Sequence, residues 1–124
     1  MSCPFCTQLY LPETVANDHA VAIADGFPVS PGHTLIIPKR HFGSLFEATV
    51  EERASLFDLL GAMRERLIQE RKPDGFNIGI NDGEAAGQTV MHLHIHLIPR
   101  YTGDLPDPRG GVRWIFPDKA VYWK

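Results

Sequence analysis

Three histidines in strict alternation, His92, His94 and His96, punctuate an otherwise apolar run, Met91-His92-Leu93-His94-Ile95-His96-Leu97-Ile98. Side chains alternate between faces along an extended strand, so the three imidazoles share one face while Leu93, Ile95 and Leu97 point into a core. The chain must therefore build a sheet with one buried apolar face and one face lined with imidazole. A surface strand carrying three incidental histidines is the bland alternative, and the strict alternation argues against it. One metal ion held by all three is a sharper competitor. His92 and His96 are four residues apart, about 13 Å along a strand, and would both have to lean far inward to form bonds of about 2.0–2.1 Å, although two neighbours could share an ion. A nucleophilic role suits the central residue better. Neutral imidazole carries a free nitrogen able to bond to phosphorus, and His94 has a histidine about 7 Å away on each side to orient it or to assist with protons.

The remaining pattern is that of a small α+β domain. Residues Ala20–Ala24 and Thr34–Ile37 are β-type runs separated by the turn chemistry of Asp25-Gly26-Phe27-Pro28 and Ser30-Pro31-Gly32. Thr49 and Glu52 fit a capping box, and Val50, Ala54, Phe57, Leu60, Met63 and Leu67 form a helical stripe, predicting a helix over 50–71 that ends before Pro73. Strands are expected over 76–81 and 90–98, and the aromatic stretch Trp114–Phe116 suggests a final strand. Strands, one long helix, then strands again give a mainly antiparallel sheet. At 124 residues there is room for one domain and no separate regulatory unit. No apolar run approaches the roughly 20 residues of a membrane span, and the first residues lack the pattern of a signal peptide. A cytoplasmic location with reduced thiols is expected. The net charge of −3, with scattered Lys and Arg, argues against a nucleic-acid-binding surface. A small nucleotide needs only a few donors.

Upstream of the histidines, Asn81-Asp82-Gly83-Glu84 and Gly87-Gln88-Thr89 form a loop whose glycines allow close backbone approach to a ligand. Its amides, with the Gln88 and Thr89 side chains, are candidate phosphate donors. Such loops are usually plain turns, and direct attachment to the histidine segment is what raises this one. The block from Gly87 through Val90 and His94 to Arg100 closely resembles the signature of the histidine triad family of nucleotidyl hydrolases and transferases. Ser30-Pro31-Gly32-His33-Thr34-Leu35-Ile36-Ile37-Pro38-Lys39 resembles that family's second conserved block. The resemblance runs from Cys3 to Arg100. It implies a five-stranded, mainly antiparallel half-sheet with one long helix, joined to a second half-sheet in a homodimer. It implies His94 as nucleophile and His96 on the α-phosphate, assisted by Gly87, Gln88, Thr89 and Val90. It further implies that His33 supports the nucleophile's proton arrangement, that Asn81 lies along the phosphate path and that Asp25 binds the ribose hydroxyls. A carboxylate suits that last role, although Asp25 before Gly26 also reads as a turn residue.

Cys3-Pro4-Phe5-Cys6 is a redox pair or half of a zinc site. With no strand before it, a thioredoxin-like role is disfavoured and a structural zinc knuckle over residues 1–7 is expected. The resemblance supplies His41 and His92 as the other two ligands. His19 reads as an ordinary strand-flanking residue. No organic cofactor is expected, and the tail over 101–124, where the resemblance stops, is where the leaving group would be selected. The implied substrates are nucleoside 5′-phosphate derivatives such as phosphoramidates, dinucleoside polyphosphates or nucleotidyl sulfates. Two other readings are a nucleotide sensor with little turnover and a metal-dependent hydrolase that chelation would inactivate at once.

Overall fold

A computed structural model describes residues 3–123; Met1, Ser2 and Lys124, at the ends of the expected knuckle and tail, lie outside the described residues. Five strands form one sheet: β1 (Val15–Ala16), β2 (Ala20–Ala24), β3 (Thr34–Pro38), β4 (Gly75–Gly79) and β5 (Ile95–Arg100). Their order is β1-β2-β3-β5-β4, and the neighbouring pairs are all antiparallel. The helix α1 (Val50–Arg71) covers one face, as expected from its cap. Thr49 Oγ1 accepts from the Glu52 amide at 3.0 Å, and the Glu52 carboxylate accepts from the Thr49 amide at 2.8 Å. The helix stops where Lys72 takes the left-handed conformation, φ 50°, before Pro73.

Which face of α1 is buried differs from the expected stripe. Ser55, Leu56, Leu59 and Leu67 are buried and Leu60 and Met63 partly so, whereas Val50, Ala54 and Phe57 are exposed. The true seam runs one position away at its start, and Glu52 is buried on it because the capping box and Arg40 satisfy its carboxylate. Against this seam lie Ala20, Ala22, Ile36, Leu93 and Ile95. On the opposite face, Val21, Ile23, Leu35 and Ile37 are covered by Phe5 and Leu9 from the N-terminal segment.

Two expected strands change. β5 begins at Ile95 rather than residue 90, so His92 and His94 precede the regular ladder. Continuing the register that pairs Ile36 with Ile95 would set Pro38 opposite Leu93, and proline has no N–H to extend the ladder. The alternation of faces nonetheless survives: Leu93, whose amide donates to the Phe42 carbonyl at 2.7 Å, packs with Ile95 towards α1, while His92 and His94 meet Phe5. The aromatic tail forms no strand. Gly110, at φ 93°, opens a short 3-10 helix over Gly111–Ile115, and Pro117 then starts the single turn α2 (Pro117–Ala120). Its Trp114, Ile115 and Phe116 stay largely exposed.

Candidate functional site

The face opposite α1 carries two polar clusters with His94 between them. His94 is buried, and its Nδ1 lies 2.9 Å from the His92 carbonyl oxygen. A carbonyl only accepts, so in the neutral ring the proton sits on Nδ1 and the lone pair on Nε2. That is the state a nitrogen nucleophile requires.

His96 heads the first cluster. Its Nδ1 lies 3.0 Å from His33 Nε2, while His33 Nδ1 accepts from the Val29 amide at 3.1 Å. The Val29 bond puts the His33 proton on Nε2, which then donates to His96 Nδ1 and leaves His96 Nε2–H as an outward donor. Burial lowers the proton affinity of both rings below the ordinary value, with the neighbouring imidazoles adding to the effect at His96 and Asp25 opposing it at both. Expected to support the nucleophile's proton arrangement, His33 stands against His96, while the His92 carbonyl faces His94 Nδ1. Asp25 takes its place in the turn and also reaches His33. One carboxylate oxygen accepts from the Phe27 amide at 2.8 Å in the turn, and the other lies 3.3 Å from His33 Nε2.

Gln88 is engaged within its own loop. It is buried, its Oε1 accepts from the Gly83 amide at 2.8 Å, and its Nε2 donates to the Gly43 and Val90 carbonyls at 3.0 and 3.1 Å. Both amide hydrogens are engaged, so Gln88 shapes the loop in this structure. Gly87, at φ 93°, closes the short 3-10 turn before it. The amides of Thr89 and Val90 and the Thr89 hydroxyl make no hydrogen bond among the described residues, so they are free to donate.

A cleft of about 620 Å³ adjoins His96 and is lined by Asn81, Gly79, Ile98, Tyr101 and Trp114. Sequence reasoning missed how its wall is held: Arg100 bonds Asp104 at 2.7 and 2.8 Å and Asn77 at 2.7 Å, and the Tyr101 hydroxyl donates to the Pro31 carbonyl at 2.7 Å. A larger groove, about 720 Å³, lies between α1 and the strands; it touches Asp25 and His33 but neither His94 nor His96.

The second cluster brings together Cys3, Cys6, His41 and His92, whose ligand atoms all lie within 4.8 Å of one another. His92 Nδ1 is 3.5 Å from both sulfurs and 3.1 Å from His41 Nδ1, and His41 Nδ1 is 3.4 Å from Cys6 Sγ. A tetrahedron with metal–sulfur bonds of about 2.3 Å and metal–nitrogen bonds of about 2.0–2.1 Å has S···N edges of about 3.5 Å and an N···N edge of about 3.3 Å. His92 Nε2 donates to the Pro38 carbonyl at 2.8 Å, which directs the Nδ1 lone pair at the cluster. These four residues could hold a metal ion. His19 is exposed and stands apart from both clusters.

The HIT domain pattern matches residues 12–103. The chain belongs to the HIT family. This HIT domain is 36% identical over 99 residues to the adenylylsulfatase HINT3 of Arabidopsis thaliana, covering 80% of the chain and 48% of that protein. It is 39% identical over 80 residues to the asymmetrical bis(5′-nucleosyl)-tetraphosphatase of Schizosaccharomyces pombe, covering 64% and 44%. The crystal structure of a Zn-bound histidine triad family protein from Mycobacterium smegmatis superposes with a TM-score of 0.74 at 36% identity, covering 86% of this chain and 85% of that one. The chain spans about three fifths, 59–60%, of the length of curated relatives it matches. No described helix is long and apolar enough to cross a membrane.

Proposed function

We propose that this HIT domain transfers the nucleotidyl group of a nucleoside 5′-phosphate derivative to His94 and then to water or another acceptor. The observation that carries the reading is the 2.9 Å contact between His94 Nδ1 and the His92 carbonyl, which in the neutral ring places the proton on Nδ1 and the lone pair on Nε2. In the first step the Nε2 lone pair attacks the α-phosphorus, a P–N bond forms, and the bond to the leaving group breaks with its electron pair. The cationic ring that results keeps its Nδ1–H on the carbonyl. In the second step the acceptor's oxygen attacks phosphorus and gives up its proton to the departed leaving group or to solvent, the P–N bond breaks, and the lone pair returns to Nε2. His96 Nε2–H donates to a phosphate oxygen, with the Thr89 and Val90 amides and the Thr89 hydroxyl as further donors. Asn81 sits along the cleft that takes the rest of the phosphate chain, and Asp25 receives the ribose hydroxyls. The relatives named for adenylylsulfate and dinucleoside tetraphosphate cleavage support leaving groups of both kinds.

Cys3, Cys6, His41 and His92 would hold a structural zinc ion, which when bound would tie the N-terminal segment to the sheet. The partners proposed are a nucleotide and a second copy of the chain, with no nucleic acid and no membrane, in the cytoplasm. β4 is an edge strand carrying a half-exposed Ile78, and Phe57 of α1 is also half-exposed, which supports pairing of two half-sheets. Assaying a panel of adenosine phosphoramidates, adenylylsulfate and dinucleoside polyphosphates for release of nucleoside monophosphate tests the reading. Tight nucleotide binding with no release from any of them would replace it with that of a sensor.

A further inference from the structure

Phe5 stands between the two cysteines and lies on His94, on which the His96 ring also stands edge-on at 5.2 Å. The Phe5 and His94 ring centroids are 4.9 Å apart with planes at 72°, and the same phenyl ring meets His92 edge-on at 6.0 Å. Phe5 is almost fully buried, packed with Leu9, Val21, Ile23, Leu35 and Ile37. The second hold on the nucleophile comes through the backbone. His92 turns its ring towards Cys3 and Cys6 and offers its own carbonyl to His94 Nδ1. Both holds therefore originate in the four-residue cluster.

A single hydrogen bond leaves an imidazole free to swing about the Nδ1···O line. A ring packed edge-to-face against it removes that freedom, and misplacing a reacting atom by about 1 Å can cost about 100-fold in rate. The segment that carries Phe5 has little else to hold it. Its described hydrogen bonds are local: Thr7 to the Cys3 and Pro4 carbonyls, Gln8 to Phe5 and Leu11 to Gln8. Its ties to the sheet are the apolar packing of Phe5 and Leu9 and the convergence of Cys3 and Cys6 on His41 and His92.

We propose that Phe5 is a positioning residue for His94, anchored by the Cys3–Cys6–His41–His92 cluster, so that the cluster sets the nucleophile's orientation as well as the stability of the fold. This rests on the nucleotidyl-transfer reading and adds to it a dependence of turnover on metal loading. The test compares wild-type protein, the same protein stripped by a chelator and reloaded with Zn²⁺, Phe5→Leu and Phe5→Tyr. Turnover is measured alongside ¹⁵N NMR of labelled histidines, which reports which ring nitrogen of His94 carries the proton.

Phe5→Leu should keep its zinc and its circular dichroism while kcat falls about tenfold and KM moves less than about threefold. Its His94 signals should change from one tautomer to an exchanging mixture. Phe5→Tyr, which keeps the aromatic edge, should hold kcat within about threefold of wild type. Stripping should reproduce the Phe5→Leu signals, and Zn²⁺ should reverse them. Unchanged His94 signals in Phe5→Leu would overturn the proposal, whether or not kcat falls, and so would a change confined to KM. Should stripping unfold the chain, Phe5→Leu alone decides. If no protein in the set turns over any substrate, the nucleotidyl-transfer reading fails, while the NMR comparison still tests the hold on His94.

Discussion

The two faces of the sheet are closed by different physics. Towards α1 the seal is dry: Ala20, Ala22, Ile36, Leu93 and Ile95 meet Leu56 and Leu59, and the buried Glu52 is held by Arg40 and the helix cap. On the other face Phe5 and Leu9 cover Val21, Ile23, Leu35 and Ile37, and beside them lie imidazole, carboxylate and thiol. Because the same short segment, 92–96, supplies side chains to both, one alternation of residue type separates a stabilising face from a reactive one. Changes to the helix face should therefore alter stability with little effect on chemistry, and changes to the histidine face the reverse.

The largest effect expected is on the reactive face. His94→Asn should lower turnover by at least about 10³-fold, because no neighbouring imidazole reaches the same phosphorus, yet hold a nucleoside monophosphate within about tenfold of wild type. Steady-state kinetics with calorimetry on the same proteins checks this, and a parallel loss of binding would merge the catalytic and binding roles. Next, Asp25→Ala should weaken ribonucleotides about 10- to 150-fold more than 2′-deoxyribonucleotides. An equal effect on both sugars would confine Asp25 to its turn and to His33. Cys3→Ser and Cys6→Ser should each lose bound zinc and melt at lower temperature, which elemental analysis and calorimetry read. Finding no zinc in protein purified without chelators would remove the metal from the account.

The smallest change belongs to the helix face. Arg40, chiefly, holds the Glu52 carboxyl down at about 2 against its ordinary 4.5. A folded pKa below the unfolded one adds stability that is fully present above about pH 4.5 and fades as pH falls towards about 2. Glu52→Gln should cost about 1–3 kcal/mol at pH 7, and its deficit against wild type should shrink through that acidic window. Turnover per folded molecule should not change. A large loss of kcat would show that the faces are not independent.

What the sequence made legible was local. β2, β3 and α1 fall where turn chemistry and the Thr49–Glu52 cap put them, and the alternation of 92–96 survives even outside a regular ladder. Less legible were features decided by distant partners. Pro38, more than fifty residues upstream, shortens β5; Gly43 and Val90 consume the Gln88 amide; and His33 pairs with His96 rather than with the nucleophile. The tail shows the same limit. Its aromatic run reads as a strand by composition, but Gly110 and Pro117 impose helical turns there, and Arg113 is drawn to the Lys119 and Ala120 carbonyls. Phe5 could have been noticed from its place between two cysteines, though nothing in the sequence says which ring it covers.

The most direct test of the central claim is rapid-quench intact-mass spectrometry under conditions that preserve acid-labile P–N bonds, followed by peptide mapping. With a substrate the protein cleaves, the account predicts a mass increase of one nucleoside monophosphate on the peptide carrying His94, appearing and decaying at rates that match turnover and missing in His94→Asn. Undiminished turnover by His94→Asn, or an adduct mapped to any other residue, would contradict it.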